Sequence, residues 1–285
     1  MNVEVVFLPP IATDLPSKLC VVIDVLRATS TLVSMMEAGA GRVTLAESIP
    51  AALQFADRYD DRPLVCGESG GLPPEGFDLG NSPREFRVES VQGRDLCFCT
   101  SNGTRAMRRV AEAPVVLAGS LLNASAVARA AVTEARQKGL DITFICSGDH
   151  LGSKFAIDDA FCAGYLATLV WRETAGVSSA DAQRSGQSQQ VVAVGQEGGT
   201  QPFLTESAVA AIRLYRSYLQ EAGVSDPEGI PPKEAILRAF WESHNAGVLR
   251  KVGLAEDVEY CAQVDISFKV PRLRLEDGML VLGQV

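Results

Sequence analysis

VVIDVLRATST, residues Val21 to Thr31, reads as a strand that runs directly into a helix. Its first half is an unbroken apolar run rich in β-branched residues, the pattern of a strand covered on both faces of a sheet. Its second half places an acid, Asp24, a base, Arg27, and three hydroxyls, Thr29, Ser30 and Thr31, in close succession. An unpaired charge at the end of a core strand costs roughly 1–5 kcal/mol, so these residues need partners or a chemical task.

The same plan recurs along the chain. Apolar runs stand at VEVVF (3–7), RVTLAE (42–47), PLVCGE (63–68), DLCFCTS (95–101), PVVLAG (114–119) and DITFICSG (141–148). Helical periodicity fills the gaps, over Thr29 to Ala38, Ile49 to Tyr59, Thr104 to Ala111, Asn123 to Lys138 and Ile157 to Thr174. Strands alternating with helices predict an α/β fold, a layered α/β/α sandwich on a largely parallel or mixed sheet. No linker divides the chain, which reads as one unit over residues 1–285, with room for two lobes around a cleft. A Gly, Ser and Gln-rich stretch at about 175–200 reads as a polar surface excursion with a short strand at VVAV. Beyond it, residues 205–223 and 231–243 are helical in pattern, and CAQVDISFKV (261–270) reads as a closing strand.

Composition narrows the function. With 47% hydrophobic residues the 285-residue chain has ample core, and a net charge of −9 argues against a nucleic-acid partner, whose phosphates require clustered cations. An acidic protein that binds an anion does so in a concentrated local site of Arg and backbone N–H groups, with or without a divalent metal. Seven scattered cysteines suit reduced, buried thiols, and the first residues lack the basic and long apolar segments of a signal peptide, so a cytoplasmic location is expected. No apolar run approaches the roughly 20 residues of a membrane span.

In open α/β sheets, sites form at the carboxyl ends of strands. Four runs end in reactive or anion-binding chemistry: DVLRATST, GES with GFDLGNSP, CTSNGTRA, and CSGDHLGSKFAIDDAFCAG. The first and third pair hydroxyls and an Arg with a helix start, where free N–H groups suit a phosphate. Glu68, at a strand end, could share a hard cation such as Mg²⁺ with Asp24. Asp158 and Asp159 open a helix and point about 100° apart, so at most one faces a shared site. His150 and His244 are the chain's two histidines, too separated in sequence to suggest zinc, and His244 reads as a capping or packing residue. Cys99 and Arg105 have the spacing of a metal-independent cysteine phosphatase, in which a thiolate attacks phosphorus.

Taken in order, IDVLRATST, GE with GFDLGNSP, TSNGTRA, LGSKFAIDDAFCAG and HNAGVLRKVGLAEDVEYC resemble the 2-phosphosulfolactate phosphatase family over nearly the whole chain. The resemblance implies a Mg²⁺-dependent phosphatase that converts 2-phospho-3-sulfolactate, or a similar small acidic phosphomonoester, to 3-sulfolactate and phosphate, a step associated with coenzyme M biosynthesis. By position it implies Asp24, Glu68 and Asp159 at the metal. Thr29, Ser30, Thr31, Asn81, Ser82, Ser101, Asn102, Gly103 and Thr104 would lie around the substrate, and Asp24, Arg27 and Arg105 would be catalytic. The nucleophile is open between a Mg²⁺-bound water and Asp24. The alternatives are the cysteine phosphatase and a noncatalytic protein that binds a phosphorylated metabolite. Exposed helical faces in the last third could support a homodimer.

Overall fold

A computed structural model describes residues 1–175, 202–224 and 229–284. The expected polar excursion and its VVAV strand lie outside the described residues, apart from residue 175. The first strands and helices follow the sequence pattern: β1 (Asn2–Val6), β2 (Lys18–Ile23), α1 (Ala28–Glu37), β3 (Val43–Leu45), α2 (Ile49–Ala56) and β4 (Leu64–Gly67). A short α3 (Val88–Val91) precedes β5 (Leu96–Cys99), α4 (Gly103–Arg109), β6 (Val115–Gly119), α5 (Ala124–Lys138), β7 (Asp141–Cys146) and α6 (Ile157–Ala175). The last part holds β8 (Phe203–Leu204), α7 (Glu206–Glu221), α8 (Lys233–Trp241), α9 (His244–Lys251), α10 (Ala255–Cys261), β9 (Pro271–Glu276) and β10 (Met279–Gln284).

The strands form one mixed sheet in the order β4-β5-β3-β10-β9-β6-β2-β7-β1-β8. Strands β6, β2, β7, β1 and β8 make one parallel block, and β3, β5 and β4 make another. The β9–β10 hairpin joins them through antiparallel pairs with β6 and β3. Two antiparallel steps outside the hairpin and one within it leave the blocks running in opposite senses. In a flat sheet their carboxyl ends would face opposite ways.

Packing shows how they meet. Along β2 the side chains alternate between two cores, as a pleated strand requires. Leu19, Val21 and Ile23 pack in a core with the helices α5 to α10. Cys20 and Val22 share a second core with Cys66, Leu96 and Phe98 of the opposite block, filled by Leu32 and Met35 of α1 and Met107 of α4. The sheet therefore curls around α1 and α4, and the loops that begin these two helices come together. Helix α2 covers the outer face of β4 and β5 through Ala52, Phe55 and Ala56. All seven cysteines are free and buried, as their apolar settings suggest.

One expected element is absent. CAQVDISFKV is no strand: Cys261 ends α10, and the segment after it is tied to the start of α5 instead of to a ladder. The Asp265 and Ser267 N–H groups donate to the Leu121 and Leu122 carbonyls, and the Asp265 carboxylate accepts from the Ser125 N–H and hydroxyl at 2.7 and 2.6 Å. The closing strands lie further on, in PRLRLE and MLVLGQ. They are joined by Asp277 and Gly278 with φ of 50° and 78°, the positive pair a tight hairpin turn requires.

Candidate active site

A cleft of about 260 Å³ opens where the two blocks converge, lined by Asp24, Arg27, Glu68, Asn81, Ser101 and Asn102, and by Asp149, His150 and His244 on the opposite side. Three strand ends supply the first group: Asp24 and Arg27 follow β2, Glu68 and Asn81 follow β4, and Ser101 and Asn102 follow β5. Asp149 and His150 follow β7, and His244 begins α9.

The helix starts do something other than cradle an anion. Asp24 caps its own helix, its Oδ1 accepting the Ala28 N–H at 3.2 Å and its carbonyl accepting the Thr29 N–H at 2.9 Å. Glu68 occupies the second start, with Oε1 accepting the Ser101 N–H at 2.7 Å and Oε2 the Gly71 N–H at 3.0 Å. Helix N-termini favour negative charge, and here they seat two carboxylates of the protein itself. Gly103 lets α4 approach closely: a Cβ there would lie 2.6 Å from the Asp24 Oδ2 and 2.5 Å from the Ala28 Cβ.

This changes the place of the hydroxyls. Thr29 donates to the Asp24 carbonyl, Ser30 to the Val25 carbonyl and Thr31 to the Asn81 carbonyl, each at 2.9 Å, and none of the three lines the cleft. Buried backbone carbonyls need donors, and these side chains provide them. Thr104 likewise caps α4 through Thr100, and the Ser82 hydroxyl donates to Asp257 at 2.6 Å. Arg105 is exposed and lines a separate groove with Glu47, Arg108 and Glu112, away from Arg27. Cys99 is buried and outside the cleft. Burial, aided by Glu68 and opposed by Arg105, pushes its thiol up to about 11, which leaves little thiolate near neutral pH.

Arg27 does face the cleft, and it is held rigidly. Its Nη1 donates to Asp257 Oδ2 at 2.6 Å and its Nη2 to the Gly71 carbonyl at 2.8 Å. Asp257 sits in the first turn of α10 and is fully buried. It was invisible as a partner in the sequence, where acids near a helix start are ordinary.

Of the two acids that open α6, Asp159 is fully engaged. Its Oδ1 accepts the Val25 N–H at 2.9 Å, and its Oδ2 accepts the Ser147 hydroxyl and the Gly148 N–H at 2.9 and 3.1 Å. It fastens the end of β2 to the end of β7, so the expectation of a metal ligand at Asp159 does not fit its bonding. Asp158 differs: Asn245 donates to its Oδ2 at 3.3 Å, while its buried Oδ1 has no hydrogen-bond partner. The Asn81 Oδ1 is likewise buried and without one.

Burial, reinforced by Glu68 and Asp158 and opposed by the Ala28 N–H, raises Asp24 to about 7. Asp158 is raised to about 6, mainly by burial, with Asn245 opposing and Asp149 adding. Negative charge is thus concentrated beside two unpartnered oxygen acceptors. A hard divalent cation bound by oxygens fits that donor set.

The histidines are the site residues that sequence spacing missed. His150 and His244 both turn Nδ1 to Asp149 Oδ2, at 2.7 and 2.8 Å, and their rings lie 5.3 Å apart. The available signal was their position: His150 follows a strand end, and the pair are the only histidines in the chain.

A cleft at strand carboxyl ends, with carboxylates seated on helix starts beside a fixed guanidinium, defines an α/β enzyme built around small anions. The chain belongs to the 2-phosphosulfolactate phosphatase family, whose model, described as 2-phosphosulpholactate phosphatase, matches residues 9–276. It is similar to a probable 2-phosphosulfolactate phosphatase of Carboxydothermus hydrogenoformans, 30% identical over 99% of this chain and 97% of that one. Similar proteins of the same description occur in Thermus thermophilus, at 35% identity over 89% and 86%, and in Microcystis aeruginosa, at 31% over 92% and 90%. No helix among the described residues is long and apolar enough to cross a membrane.

Proposed function

We propose that the chain is a Mg²⁺-dependent phosphatase that hydrolyses 2-phospho-3-sulfolactate, or a closely similar acidic phosphomonoester, to 3-sulfolactate and phosphate. The observation that carries this reading is the convergence of Asp24 and Glu68, each seated on a helix start, beside the buried guanidinium of Arg27. Family membership supports the phosphomonoester, and the relatives' names supply the particular substrate.

Asp24 and Glu68, with Asp158 behind them and the side-chain Oδ1 of Asn81, would hold the ion. When bound, Mg²⁺ supplies positive charge against the phosphoryl oxygens and lowers the pKa of water. Phosphoryl transfer depends mainly on such positioning and charge stabilisation. Arg27, fixed by Asp257 and the Gly71 carbonyl, keeps a permanent positive charge on the cleft wall and orients the anionic ester. Asn102 holds the facing loop by accepting the Leu151 N–H at 2.9 Å. Water attacks phosphorus, the bond to the ester oxygen breaks, and that oxygen leaves with a proton as the alcohol.

The test is phosphate release from small phosphomonoesters, including phosphosulfolactate and phospholactate, with and without EDTA. Hydrolysis of phosphosulfolactate that stops in EDTA and returns with Mg²⁺ is expected. Asp24→Asn should lower the rate by at least about a hundredfold, since it removes several kcal/mol of transition-state stabilisation. Full activity of that variant would remove the core of the assignment.

A further inference from the structure

We propose that Asp149, His150 and His244 form a second ligand set in the cleft, one for a divalent transition-metal ion such as Zn²⁺ or Co²⁺. One donor atom from each lies within 4.8 Å of the others. The set is distinct in chemistry from the all-oxygen group around Asp24. Two imidazoles and one carboxylate suit the borderline first-row metals, whereas Mg²⁺ prefers oxygen ligands.

The geometry is close to that of a loaded site. Asp149 Oδ2 stands 2.7 Å from His150 Nδ1 and 2.8 Å from His244 Nδ1. Donors bound to one tetrahedral ion at roughly 2.0–2.2 Å sit about 3.3–3.6 Å apart, so each Asp149–histidine pair would open by about 0.5–0.9 Å as the ring protons leave. The other carboxylate oxygen, Oδ1, accepts the His150 N–H at 2.6 Å, which fixes the group and leaves Oδ2 directed at both rings.

Both rings are about half exposed, with side-chain exposures of 47% and 60%, so an ion and its remaining ligand positions would be open to the cleft. Loading moves each ring proton from Nδ1 to Nε2. The exposed Lys154 ammonium, 3.4 Å from His150 Nε2, must then turn away. The sequence brings the three residues from two distant segments, the loop after β7 and the first turn of α9, and the chain's entire histidine content meets at this point.

Co²⁺ titration of the full-length, metal-free protein tests the proposal, read by visible d–d absorption and by equilibrium dialysis. One Co²⁺ equivalent with the spectrum of mixed nitrogen and oxygen ligation is expected. Asp24→Asn should retain it, while His150→Ala and His244→Ala should each weaken it at least about a hundredfold, since losing outer contacts alone costs roughly 10–100-fold. Their exposure makes these variants safe for the fold, which melting curves verify. An unchanged spectrum and affinity in both histidine variants would overturn the site, as would failure of the wild type to bind Co²⁺ with nitrogen ligation. Either result leaves the Mg²⁺-dependent reaction untouched, because that reading is decided by Asp24→Asn and EDTA.

Discussion

Arg27 and Asp257 are 230 positions apart in the chain and form a buried ion pair at 2.6 Å, which locks the start of α10 against the loop that closes β2. The same carboxylate accepts the Ser82 hydroxyl at 2.6 Å, so three segments meet on one acid. Asp257→Asn leaves the guanidinium without its counter-charge in the interior. Breaking a buried pair from one side costs about 3–5 kcal/mol, which urea unfolding of the variant should show together with a loss of phosphatase activity.

Gly103→Ala should be more damaging than an exposed loop glycine would suggest. The added methyl would come within 2.6 Å of Asp24 Oδ2 and 2.5 Å of Ala28 Cβ, neither of which belongs to a flexible side-chain end free to swing aside. Overpacking of this kind costs about 1–3 kcal/mol. Because the clash falls on Asp24, activity should fall more steeply than stability, as paired kinetic and melting measurements would show.

The acids at the start of α6 should separate by variant. Asp159→Asn replaces an acceptor of three hydrogen bonds with a group that carries one acceptor oxygen, leaving the buried N–H of Val25 or of Gly148 unmatched at about 1–3 kcal/mol. Asp158→Asn removes a buried negative charge with a free oxygen, so it should preserve or raise stability while lowering Mg²⁺ affinity. Chemical denaturation and Mg²⁺ titration of the two variants check both outcomes.

Stability of the metal-free protein should depend on pH through Asp24. Its folded value of about 7 lies above the ordinary 3.8, so between these limits the unfolded chain is already ionised while the folded one keeps its proton. The folded state then binds more protons, and stability falls as pH rises across that window. The melting temperature of wild type minus that of Asp24→Asn should therefore decrease from pH 4 to pH 7 in EDTA. Mg²⁺ at about 100 times its Kd should restore about 2.7 kcal/mol.

Cys99→Ser and Arg105→Ala should each change kcat/KM by less than about threefold, because neither residue reaches the cleft. Burial that raises the Cys99 thiol to about 11 also predicts negligible alkylation by iodoacetamide at pH 8 in the folded protein. A large loss in Cys99→Ser together with metal-independent turnover would favour a thiolate mechanism instead.

Much of the architecture was readable locally. Every apolar run named in the first two thirds became a strand, because a short apolar segment bounded by polar and turn residues buries itself readily within a covered sheet. CAQVDISFKV misled because its alternating pattern is that of a strand, whereas Asp265 and Ser267 tie it to α5, leaving Phe268 88% exposed. The real hairpin had a clearer signal, Asp-Gly between alternating apolar residues. Asp24, Glu68 and Asn81 were legible as strand-end residues of one cleft. Arg105 was not separable from Arg27, since both follow a strand end at a helix start and only packing sets which way each faces.

The order of residues alone determined the strands and helices of the first two thirds and their polar strand ends, because periodicity and capping act over a few neighbouring positions. Tertiary structure decided that two parallel blocks of opposite sense curl around α1 and α4, which brings Glu68 to Asp24, Asp257 to Arg27 and His244 to Asp149. Those partners lie far apart along the chain, and burial and charge pairing across such distances exist only once the sheet has closed.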